Sequence, residues 1–146
     1  MTRIALLIIL VLFSRLALAE DWIVRQQTAA SFADTREAIV LAIENRGLVI
    51  NFTSHIADML DRTGADIGTG RKVFEQAEIV EFCSASLSRK MMEADPHHIV
   101  LCPFAISIYT LPGDQRGTWV AYRKPQGKLA AMVEGLLKEI TAEAGN

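Results

Sequence analysis

A long apolar segment at residues 99–111 sets the strongest limit on the fold of this chain. It is followed by Pro112, Gly113 and Asp114, which are typical turn residues, and then by a second strand-like segment at 118–123. A strand that is apolar on both faces needs cover on both sides. The pattern therefore predicts a central strand at 99–111 with a hairpin partner at 118–123.

The rest of the chain alternates between segments with strand and helix periodicity. Asp34 and Glu37 have the spacing of a capping box at the start of a helix, and Ser54 is positioned to cap a second helix. The predicted strands are 22–27, 48–53, 78–83, 99–111 and 118–123, and the predicted helices are 34–46, 54–64, 84–94 and 128–144. This order predicts a single α+β domain at 20–146, with helices covering a mixed or antiparallel sheet.

Size and charge exclude several classes of protein. The chain has 146 residues, of which 51% are hydrophobic, so one domain with one core is expected. A formal net charge of -2 argues against nucleic-acid binding, which requires a basic surface.

The first nineteen residues have the organisation of a secretory signal peptide. Arg3 precedes an apolar run at 4–13, and Ala17 and Ala19 form a small-x-small cleavage site. A helix of that run rises only about 15 Å, which is too short to cross a bilayer. We therefore expect cleavage after Ala19 and a periplasmic or secreted domain that is not held in a membrane.

The two cysteines, Cys83 and Cys102, are the first candidate site residues. An oxidising compartment allows them to form a disulfide. Strand alternation places Cys83 opposite Phe82 and places Cys102 on the core side with Phe104, which argues against that bond. Buried structural thiols, a disulfide and a ligand or redox site all remain open as interpretations.

His55 and Met59 are four residues apart, so a helix would place them on one face. Imidazole, thioether and thiolate groups together suit a soft metal ion. The alternative is that Met59 belongs to the core and His55 is a polar residue at the helix end. No C-x-x-C or other metal-binding spacing is present, and the sequence identifies no cofactor.

Several short motifs resemble the family catalogued as domain of unknown function 302. They are GLVI at 47–50, VEFCSA at 80–85, ADP at 94–96 and LCPF at 101–104, followed by ISIY at 106–109. The resemblance spans about 47–125 and implies a compact α+β domain, often dimeric, with no established activity. Cys83 matches a cysteine common in the family. Phe104 stands where many members have cysteine after the proline, so a role of that thiol does not transfer to it.

Three functions are compatible with these observations. The first is an accessory protein that binds a small ligand, a soft metal or a sulfur species without turnover, through Cys83, Cys102, His55 and Met59. The second is a structural or interaction module that acts as a homodimer, because both faces of 99–111 need cover. The third is a thiol-dependent enzyme with Cys83 as nucleophile and His55 as base.

Overall fold

The computed structural model describes residues 22–127 and 129–145, so the predicted leader at 1–19 lies outside the described residues. Short 3₁₀ segments occur at Pro96–Leu101 and Glu143–Gly145. The strands are β1 (Ile23–Thr28), β2 (Val49–His55), β3 (Gln76–Cys83), β4 (Phe104–Thr110) and β5 (Thr118–Arg123), and the helices are α1 (Phe32–Glu44), α2 (Ile56–Asp66), α3 (Ala85–Ala94) and α4 (Ala130–Ala142). The predicted order of elements and the α+β class are confirmed.

The strands form one sheet in the order β1-β5-β4-β3-β2. Every neighbouring pair is antiparallel, so the sheet is not mixed, and β4 is central as predicted. The edge strand β2 contains a bulge between Ile50 and Phe52. Within the described residues, no helix is long and apolar enough to span a bilayer.

The core lies between one face of the sheet and the helices α1 and α4. Alternate residues of the central strands point to this side and are fully buried, because the period of a strand is two. These strand residues and their helical partners are Val80, Phe82, Ile106, Ile108, Val120, Ile39, Ile43, Leu137 and Ile140. The intervening residues of each strand therefore point to the opposite face.

The predicted strand at 99–111 was wrong in its first part. Ile99 and Val100 belong to the 3₁₀ segment and are 62% and 82% exposed. Asp95 starts that segment by accepting a hydrogen bond from the His97 backbone N–H at 2.9 Å. Pro103 cannot donate a ladder hydrogen bond, which fits a strand that begins only at Phe104.

Two helix starts also differ from the prediction. The N-cap of α1 is Ser31, whose Oγ accepts a hydrogen bond from the Asp34 backbone N–H at 3.2 Å. The cap of α2 is His55 rather than Ser54, and it makes no capping side-chain bond within the described chain. The predicted helix at 84–94 is found one residue later, as α3, and Ser84 is its N-cap, since its Oγ accepts a hydrogen bond from the Leu87 N–H at 3.4 Å.

Candidate ligand-binding groove

The structure does not bring the four predicted site residues together. In the ladder between β2 and β3, His55 pairs with Glu78, whereas Val49 pairs with Cys83. Five strand positions separate Glu78 from Cys83, which corresponds to about 17 Å. The prediction that His55 lies beside the thiols was therefore wrong, because β2 and β3 run in opposite directions.

His55 and Met59 have other surroundings. His55 Nδ1 lies 3.2 Å from Glu78 Oε1, and Glu78 Oε2 accepts a hydrogen bond from Arg36 Nε at 2.6 Å. Met59 is 45% exposed, so the alternative that it belongs to the core was also wrong. Between residues 22 and 145, leaving out 128, no three His, Cys, Asp or Glu side chains cluster as a metal site.

The two thiols are free and lie at the same end of the sheet. Phe82 pairs with Phe104, and Cys83 follows that pair while Cys102 precedes it by two residues. Cys102 Sγ is 3.2 Å from Ser88 Oγ of α3. Burial raises the pKa of the Cys83 thiol, and the nearby Cys102 raises it further. A raised pKa keeps the thiol protonated at neutral pH, which makes it a weak nucleophile.

The face of the sheet opposite the core contains a groove with a volume of about 610 Å³. Small side chains on β3, β4 and β5 make up most of its floor, and Ile79 of β3 lies opposite Ser107 of β4. Ser107 pairs with Ala121, and both lie on the groove side together with Ala77 and Ala105. Larger residues stand around this floor: Trp22, Ile23, Ile56, Phe74 and Tyr109. The concavity therefore results from small residues surrounded by large ones.

Aromatic contacts hold one wall of the groove in place. The Phe74 and Tyr109 rings meet edge to face with centroids 5.5 Å apart, and Tyr109 stacks on Trp119 at 6.4 Å. Trp119 Nε1 donates a hydrogen bond to Asp114 Oδ2 at 3.3 Å, and that carboxylate also accepts two hydrogen bonds from the Arg116 side chain and one from its backbone N–H. These contacts hold the ring planes against one another, so the aromatic wall is present in the protein alone.

The groove was not found from the sequence. The small residues at 105 and 107 are visible in the sequence. Whether they form part of a groove depends on which strands lie next to theirs in the sheet. Ala77 and Ala121 belong to the same floor only because β3 and β5 both flank β4.

Fold and groove together define an α+β domain with a five-stranded antiparallel sheet, covered by helices on one face and concave on the other. The sequence model of the family described as "Domain of unknown function DUF302" matches residues 24–146. The chain belongs to this family, which confirms the resemblance and extends it beyond 47–125.

A solved structure supports the same fold. The crystal structure of an uncharacterized conserved protein DUF302 from Bacillus stearothermophilus superimposes with a TM-score of 0.59 at 15% sequence identity. The match covers 84% of this chain and 89% of that one. A comparison with curated proteins finds no matching sequence.

Proposed function

We propose that this chain is an exported accessory protein that binds a small, mainly apolar molecule in the groove without turnover. The groove volume of about 610 Å³ carries the proposal, because it falls in the range of pockets that bury small ligands. A mainly apolar floor with aromatic walls and a few polar groups, here including Ser107, is typical of such sites.

Binding is favoured over thiol catalysis by the position of the candidate groups. A thiol nucleophile needs a base within hydrogen-bond reach, and His55 lies about 17 Å along the sheet from Cys83. The raised pKa of Cys83 also leaves little thiolate at neutral pH. These positions therefore favour ligand binding in the groove over thiol catalysis.

The neutral fluorescent probe N-phenyl-1-naphthylamine tests this proposal directly. We expect its fluorescence to rise on binding to the protein with Glu20 as its first residue. Ala105→Phe fills the floor of the groove and should abolish that rise. Ala33→Phe places the same side chain on an exposed position of α1 and should leave it intact. Equal binding by both variants, or no binding by the parent protein, would contradict the proposal.

A homodimer is the second candidate function, and exposed apolar side chains on the groove side favour it. Val49 and Phe52 of β2 are 64% and 60% exposed. Their ladder partners are Cys83 and Glu81, which places both residues on the groove side of the sheet. Burying such side chains against a second copy would stabilise a pair of subunits.

Light scattering at micromolar concentration tests the homodimer. We expect twice the monomer mass for the parent protein and the monomer mass for Phe52→Glu, because the variant places a charge in the contact. Asn51→Glu introduces the same charge at the neighbouring exposed bulge position and serves as the control. A monomeric parent protein would exclude this candidate at that concentration.

A further inference from the structure

We infer that the groove selects amphipathic anions, with Arg123 binding the anionic head while the apolar body lies on the groove floor. This inference rests on the proposed function and adds the chemical class of the ligand. Arg123 lines the groove and also lines an adjacent cavity of about 240 Å³ near Val100 and Pro103. A guanidinium between two cavities is well placed to receive the polar end of a ligand from the groove.

A second cation lies beside Arg123 on the same face. Ile23 pairs with Arg123 and Arg25 pairs with Ala121, so the two arginines occupy diagonal positions on β1 and β5. Side chains at diagonal positions are within reach of one another. In the described ranges 22–127 and 129–145, neither guanidinium forms an ion pair with a carboxylate.

The side chain of Arg25 is directed along the groove face. Its Cζ lies 6.0 Å from the centre of the Trp119 ring. Burial raises the pKa of Tyr109, and the charge of Arg25 partly offsets that rise. The positive charge of Arg25 therefore contributes to the electrostatic potential at the aromatic wall. This potential favours an anion that enters the groove.

Glu81 does not line the groove itself but lies on the same face of the sheet, across from Arg123. It pairs with Ala105 on the groove side of β3, and β3 is two strands away from β5 in the sheet. An anionic head is repelled from the Glu81 side and attracted to the Arg123 side. The apolar body is then directed across the floor towards Phe74 and Ile56. From Ala77 to Arg123 the strand spacings give roughly 17 Å, enough for a medium-length hydrocarbon chain.

Displacement of bound N-phenyl-1-naphthylamine by decanoate or by 1-decanol tests the inference. The measurement is made at neutral pH and below the concentration at which either compound forms aggregates. The two competitors have the same chain length and differ in head group. We expect the parent protein to prefer decanoate by about tenfold. Arg123→Gln should bring this preference close to equality, and Glu81→Gln should increase it about twofold.

Arg71→Gln is the matched control, because it removes a cation from an exposed position outside the groove and should keep the parental preference. Equal affinity of the parent protein for the two competitors would overturn the inference and leave the proposed function intact, since the neutral probe still binds. An unchanged preference in Arg123→Gln would overturn the role of that residue. Failure of the neutral probe to bind would instead overturn the proposed function.

Discussion

Gly117 lies directly before β5, against the end of β1. Its φ is +112°, in a region that L side chains rarely adopt, and an added Cβ would overlap the Thr28 carbonyl oxygen. We predict that Gly117→Ala lowers the free energy of unfolding by about 2–4 kcal/mol. The comparison of urea denaturation midpoints with the parent protein measures this change.

Gly135 is a glycine at which alanine should stabilise the protein. It lies within α4, and an added Cβ would have no atom of the described chain within 4 Å. Gly135→Ala should therefore raise the free energy of unfolding by about 0.5–1 kcal/mol, because alanine favours helices. If the two variants had equal stability, the close approach of β1 to Gly117 would be refuted.

The two thiols allow a prediction about pH. Because burial and Cys102 both raise the pKa of Cys83, alkylation of Cys83 by iodoacetamide should reach half its maximal rate at a higher pH than alkylation of a free thiol. Cys102→Ser should move this midpoint to lower pH, since it removes one of the two causes. Rapid alkylation of Cys83 at neutral pH would contradict the prediction and favour the thiol-dependent enzyme.

At the scale of single elements, the N-cap residues of α1 and α2 differ from those that the sequence predicted. Ser31→Ala removes the hydrogen bond to the Asp34 N–H and should lower the free energy of unfolding by about 1 kcal/mol. Ser54→Ala should have no measurable effect, because the cap of α2 is His55 and not the predicted serine. Thermal unfolding of both variants distinguishes the two sites. Equal losses of unfolding free energy would instead support Ser54 as the cap of α2.

The elements themselves were largely predictable from the sequence. Alternation in 48–53 and 78–83 and the helical period after residue 128 depend on local order alone, and local order is sufficient to identify an element. The segment 99–103 was not predictable in this way. Its apolar residues have strand propensity, but the Asp95 cap and Pro103 favour a helical turn followed by a late strand start.

The candidate site was less predictable than the fold, because it depends on strand neighbours. Strand alternation correctly placed Cys83 on the side opposite Phe82. It could not show that antiparallel pairing carries His55 to the other end of β3. The groove floor combines residues from three strands, and no local pattern reports such a register.

At the scale of the whole molecule, the proposed export makes a prediction about processing. Expression of the full chain in a bacterial host should yield a mature protein whose first residue is Glu20, because Ala17 and Ala19 satisfy the cleavage site. Intact-mass measurement of the periplasmic fraction checks this. Ala19→Leu should block cleavage, while Ala5→Leu lies inside the apolar run and should not. Retention of the full mass by the parent protein would refute the leader.

The two outer strands of the sheet are poor templates for further strands. The bulge between Ile50 and Phe52 interrupts β2, and β1 exposes Arg25 and Gln26. Irregular or charged edge strands of this kind disfavour backbone hydrogen bonding between molecules. Concentrated solutions should consequently resist fibril formation, although the groove leaves part of one sheet face open.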